Sequence, residues 1–212
     1  MGACQCFNQN RHLFRIDIAQ KKIKVSQTAV EMDYTTLISS RFSVRSFKKS
    51  AIEPEHLSLI LQAGRIAPTA GNRQPQRILV IQQPETIRQL SEATPYTFDA
   101  PCILVVCADL RNCWKRSSDG FCSNLADTAI VTTQMMLQAW DIGIGSCWVC
   151  VFDPVKLREI LNIPGYFQID CLMPIGYPAP NAKPGPKHFD RKLLSETVFF
   201  ESFPVEEEVQ TR

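Results

Sequence analysis

Cys102-Ile103-Leu104-Val105-Val106-Cys107-Ala108 is an apolar run with no polar interruption. A strand with one wet face alternates polar and apolar side chains, so an unbroken run implies that both faces are covered. It is short and β-branched, which favours a strand over a helix. Arg77 to Ile81 has the same character, and Gln168 to Ile175 and Ser146 to Phe152 read as further strands. Around them lie helical patterns. Val30, Tyr34, Leu37 and Ile38 recur at helical spacing, and Pro54 opens a helix with Leu57, Ile60, Leu61 and Gly64 on one face, up to a break at Pro68. Glu85 to Ala93 is a short helix, and Asp153-Pro154 caps and starts another. The longest helix spans Ser123 to Trp140, with Leu125, Ala129, Ile130, Met136, Leu137 and Trp140 as its apolar positions, and Gly143 and Gly145 end it. Helices alternating with strands predict a sheet covered on both faces. The dinucleotide fingerprint is missing, because Gly143-Ile144-Gly145 follows a helix and precedes a strand. A mixed sheet of the α+β class therefore fits better than a doubly wound one.

The 212 residues are enough for one sizeable core, and 45% apolar against 21% charged residues is ordinary for a folded chain. A net charge of +2 makes no case for nucleic acid as a partner. No apolar stretch reaches bilayer length, and residues 1–30 hold no signal-peptide core, so a cytoplasmic protein with no membrane partner is expected. The nine cysteines then read as mostly reduced and buried. Residues 1–30 form an N-terminal extension, partly disordered or folded as a small hairpin over residues 14–25. Met1-Gly2-Ala3-Cys4-Gln5-Cys6 does not complete a myristoylation signal.

Two stretches carry chemistry. In Arg41-Phe42-Ser43-Val44-Arg45 the arginines and the serine alternate, a spacing suited to gripping a phosphate. Without other support a solvated basic turn explains it as well, and Lys48 and Lys49 fit that reading. In Pro68-Thr69-Ala70-Gly71-Asn72-Arg73-Gln74-Pro75 two prolines bracket small polar residues, so the loop can aim the Asn72 amide at the donor and acceptor edge of a heterocycle, or be an ordinary turn.

Together with Gly143-Ile144-Gly145-Ser146-Cys147-Trp148 and Arg191-Lys192-Leu193-Leu194, these stretches resemble, in order, the motifs of the FMN-dependent nitroreductase family across residues 34–200. The resemblance implies a three-layer α/β/α fold with a mixed central sheet, assembled as an intertwined homodimer. Residues 31–212 would form the FMN-binding domain and 176–212 its C-terminal arm. It implies FMN as cofactor, with Arg41, Ser43 and Arg45 at the ribityl phosphate, helped by Arg191, and with Phe42 and Gln74 also among the cofactor-binding residues. Pro68, Thr69, Ala70 and Asn72 would come from the partner subunit and line the isoalloxazine ring. Trp148, Val149 and Cys150 would pass the reactive face, backbone amides toward N5 and O4. NADH or NADPH would deliver hydride, and a nitroaromatic, quinone or enone would then accept the electrons in a ping-pong cycle. Such a cycle needs no catalytic triad, because the cofactor carries the chemistry. The same scaffold hosts flavin fragmentation and reductive dehalogenation, and a low-turnover flavin-binding redox sensor is the rival from another class.

Departures from the family pattern stand at Gln76, where tryptophan is common, and at Cys150, where glycine is common. Cys147-Trp148-Val149-Cys150 lies in an expected strand rather than at a helix start, so packing is preferred to thiol redox chemistry. Cys107, Cys113 and Cys122 surround a polar flap and lack a fourth close ligand, so no metal site is read. Asp119 and Asp127 read as flap or helix-surface residues. Five prolines between Pro174 and Pro186 predict an extended connector, and Val198-Phe199-Phe200 a terminal strand that pairs with another subunit.

Overall fold

The apolar run at 102–108 is the middle of the sheet. The computed structural model describes residues 32–204; the hairpin expected at 14–25 and Cys4 and Cys6 lie outside them. The elements are α1 (Tyr34–Ser40), α2 (Pro54–Ile66), β1 (Gln76–Ile81), α3 (Pro84–Leu90), β2 (Cys102–Asp109), α4 (Asn124–Asp141), β3 (Gly145–Ser146), α5 (Pro154–Leu161), β4 (Phe167–Gly176) and α6 (Leu194–Thr197), with single 3-10 turns at Ala70–Asn72 and Pro186–His188. Every residue of β2 is buried. The helix ends follow local chemistry: Asp153 accepts from the amides of Val155 and Lys156, and Pro54, Pro84 and Pro154 occupy first helical positions, where no amide is needed.

The strand order is β1-β2-β4-β3. Cys102, Leu104 and Val106 of β2 face α2 and α4, packing with Ile60, Val131 and Met135. Ile103, Val105 and Cys107 face the other way, toward Leu90 of α3 and Leu157 of α5. Period-2 alternation thus divides one apolar strand between two cores, and the three layers follow. The named ladders are all antiparallel, and the parallel component of the sheet is a single bridge between Ser43 and Ser146.

The β2–β4 ladder contains a bulge. Val106 pairs with Cys171 and Cys107 with Ile169, so Asp170 has no partner. The extra residue swaps the faces: Ile169 and Cys171 sit two apart yet lie in opposite cores. Asp170 is turned instead to the Thr128 hydroxyl, which donates to its Oδ2 at 2.8 Å.

Two expected strands come out differently. Ser146 to Phe152 keeps ladder geometry only at Gly145–Ser146, with an isolated bridge between Val149 and Leu172. The Cys147 amide donates to the carbonyl of Pro174, and proline has no amide to return the bond, so the ladder breaks there. Val198 to Phe200 is not a strand. The chain before it closes into α6, where the Leu193 amide donates to Glu196 Oε2 and the Val198 amide to the Leu194 carbonyl.

Candidate functional site

Residues 41–48 run extended beside the β3 end of the sheet. The Val44 amide donates to the Ser146 carbonyl at 2.9 Å, Lys48 to Tyr177 at 2.8 Å, and Ala179 back to Ser46 at 3.0 Å. The extended backbone sends Val44 and Phe47 into a small core with Ala100, with Phe42 packed edge-on to Trp140 at 5.1 Å. Gly145 makes the approach possible, since a Cβ there would lie 2.6 Å from Val44 Cγ2. With Phe42 and Val44 turned inward, Arg41, Ser43 and Arg45 share the other side.

That side is the wall of a cavity of about 380 Å³, completed by Gly185, Pro186, Lys187, His188 and Arg191. Its lining contains four fixed cations and no carboxylate. Arg191 is oriented by the carbonyls of Lys187 and Asp190, at 3.2 and 2.8 Å. Arg41 Nη1 is buried and has no hydrogen-bond partner among the described residues. Burial first, and then the neighbouring Arg191, push its guanidinium below the ordinary value. A buried, unpartnered guanidinium facing other cations calls for an anion with several acceptor oxygens, and a phosphate monoester meets that need. Lys187 and His188 were not among the residues picked out from sequence. Their cue was a basic cluster just before Arg191, hidden in a segment that reads as a proline-rich connector.

The Pro68–Pro75 loop is a built structure. Gly71, Asn72 and Gln74 have positive φ. The Gln74 amide donates to Thr69 Oγ1 at 3.1 Å, and the Ala70 amide to Asp127 Oδ1 at 2.7 Å. Asp127 is therefore no surface residue. It is 1% exposed, takes the Ser123 hydroxyl on Oδ2 at 2.7 Å, and pins the loop to the start of α4. Asp119, by contrast, lies in the exposed flap and pairs with Arg116.

The arginine wall and this loop sit at opposite ends of the sheet. The arginines adjoin Ser146, which pairs with Ile175 and so neighbours the Cys102 end of β2. The loop ends at Pro75, whose carbonyl receives the amide of Asp109 at the other end. Eight residues of strand separate the two, about 25 Å.

Cys147 to Cys150 leads away from the arginine wall along β4. Burial raises the Cys147 thiol, while Arg45 and the Ser43 side chain pull the other way. Trp148 is half-buried and its Nε1 donates to Cys150 Sγ at 3.0 Å. Val149 is buried and its amide is taken by the Leu172 carbonyl at 2.9 Å, which leaves neither its side chain nor its amide for a ligand. Cys150 is exposed, contrary to the expectation of a packed pair.

The nitroreductase family model matches residues 38–95 and 94–177. A nitroreductase family protein from Clostridium difficile 630 is 39% identical, with a TM-score of 0.76 over 81% of this chain and 100% of that one. A relative from Archaeoglobus fulgidus, whose name pairs NADH dehydrogenase with NAD(P)H nitroreductase, is 33% identical over 151 residues, 67% of this chain and 83% of its own. An FMN-dependent nitroreductase from C. difficile R20291 is 26% identical, with a TM-score of 0.64 over 79% of this chain and 98% of that one. The chain belongs to the nitroreductase family, and it is an oxidoreductase.

Proposed function

We propose that the protein is an FMN-dependent oxidoreductase that takes electrons from NADH or NADPH and passes them to a small electrophilic acceptor. The observation that carries this reading is the all-cation cavity with its unpartnered Arg41 nitrogen. A phosphate monoester fits it, and relatives named for FMN and NAD(P)H share the fold. Arg41, Ser43, Arg45, Lys187 and Arg191 hold the phosphate. Bound there, the flavin supplies reversible two-electron chemistry, which the protein itself lacks. The chain's own part is to fix the phosphate, orient the ring and present polar groups beside it. Trp148 and Cys150 border the ring with side chains and free amides.

A cavity and a loop about 25 Å apart cannot serve the same flavin within one protomer. The reading therefore includes a homodimer in which Thr69, Ala70, Asn72 and Gln74 of one subunit meet the ring held by the other. The arm from residue 176 onward supports this: Phe189, Leu194, Phe200 and Phe203 are each 78–85% exposed, apolar area suited to a partner surface. Residues 31–212 act as the flavin domain. Among the described residues no helix is long and apolar enough to cross a membrane, and we place the enzyme in the cytoplasm.

The test is a visible spectrum of the purified protein with added FMN during anaerobic titration by each nicotinamide, followed by nitroaromatic, quinone and enone acceptors. Bleaching by NADH or NADPH and recovery with an acceptor is the expected course. No flavin absorption bound to the protein overturns the reading. A bound flavin that neither nicotinamide bleaches moves it to a flavin-binding sensor.

A further inference from the structure

The flap between β2 and α4 carries two thiols that the flavin reading does not use. Its arms are paired: Lys115 bridges Cys122, the Ser123 amide donates to the Trp114 carbonyl at 3.0 Å, and Arg116 receives Gly120 and donates to Phe121, both at 2.9 Å. Arg116 caps the tip by stacking over Phe121 at 4.8 Å. Cys113 stands two residues before Lys115 on one arm, so it falls diagonally across from Cys122 on the same side. The two are half-exposed, unlike the buried Cys102, Cys107, Cys147 and Cys171. Burial and then Cys122 push the Cys113 thiol up to about 12.

We propose that Cys113 and Cys122 are an oxidation site that closes reversibly to a disulfide when the protein meets a peroxide. The Cys122 thiol gives its proton to solvent and its sulfur attacks one peroxide oxygen; the O–O bond breaks, a sulfenic acid forms on Cys122, and the departing hydroxide takes up a proton and leaves as water. The Cys113 sulfur then attacks the Cys122 sulfur; the S–O bond breaks, the S–S bond forms, and the Cys113 proton leaves with the hydroxide as a second water. The peroxide gains the two electrons that the thiols lose. The Cys113 thiol donates to the Asp109 carbonyl at 3.5 Å, and this bond to its proton makes it the resolving partner rather than the first attacker. Diagonal neighbours lie slightly beyond disulfide span, so closure draws the arms together by about an ångström.

The flap is coupled to the Pro68–Pro75 loop. A methyl on Gly71 would touch Trp114 Cδ1 at 3.5 Å, and Ser123, next to Cys122, holds Asp127 and through it the Ala70 amide. Closing the disulfide tightens the flap over that loop.

The experiment treats the full chain with hydrogen peroxide under native conditions, blocks free thiols, and maps peptides by mass. A peptide joining Cys113 to Cys122, short by two hydrogens and released by dithiothreitol, is expected. Cys113→Ser should leave a sulfenic acid on Cys122 that dimedone traps, and Cys122→Ser should leave Cys113 unoxidised. Over-oxidation of Cys122 without a cross-link, or equal oxidation of Cys113 in Cys122→Ser, overturns the proposal. The readout is independent of flavin, so it stands or falls apart from the assigned activity.

Discussion

Arg41 holds a guanidinium nitrogen out of water, and nothing among the described residues accepts from it. Leaving such a donor unpaired costs stability, and a bound phosphate returns the bond. Arg41→Ala should therefore relieve the apo protein while weakening FMN by roughly 10- to 100-fold, the range of a charge-assisted hydrogen bond. Arg41→Lys keeps the charge but loses the fork, and should fall between. Flavin fluorescence quenching measures both. At this scale the sequence was legible where alternation does the work, because Phe42 and Val44 need the core and so turn Arg41, Ser43 and Arg45 together. It was less legible where tertiary bonds decide. Asp127 looks like one more helix-face carboxylate until the Ala70 amide, 57 positions away, is seen on it. Val149 looked available for a ligand, but its amide belongs to Leu172.

The loop from Pro68 to Pro75 is shaped by its own turn and anchored by one helix. Asp127→Ala removes the acceptor of the Ala70 amide and the Ser123 hydroxyl, at a cost of about 1–3 kcal/mol in local stability. Hydrogen exchange should show the Ala70 amide losing protection while the α4 interior keeps it. A second anchor lies at the end of β2. Asp109, 1% exposed, takes Arg111 through two contacts of 2.8 Å, with Arg77 at 3.5 Å. Arg111 holds its carboxyl down to about 2. A lowered carboxylate stabilises the fold above its unfolded pKa, and the contribution fades as pH falls from about 4 toward 2. Asp109→Asn should therefore destabilise at neutral pH and flatten the acid limb of a denaturation curve between pH 5 and 2. Among elements, β2 was readable from its unbroken apolar run and α4 from its periodicity, each almost to the residue. The shortened β3 was not, because its end depends on the missing amide of Pro174 on a different strand.

For the whole molecule the layers were legible from one strand with two apolar faces, while the homodimer is an expectation drawn from resemblance to a family. The fold adds a physical reason to propose it: the cationic wall and the Pro68–Pro75 loop occupy opposite ends of β2. Subunit mixing tests this. Arg41→Ala damages one half-site and Asn72→Ala the other, so each alone lowers turnover at both sites of its dimer. Unfolded and refolded together in equal amounts, they form mixed dimers with one intact site, and about a quarter of wild-type activity should return. No recovery would mean that both halves come from one chain.

The unpaired Asp170 also fixes which deletions the chain survives. Removing its codon joins Ile169 to Cys171, and each keeps the partner and the face it has now, at the cost of the bond to Thr128. Removing Leu172 instead slips the strand by one and turns every residue on one side of the gap to the wrong face. Deletion at 170 should yield folded protein with a lower Tm. Deletion two codons later should yield none.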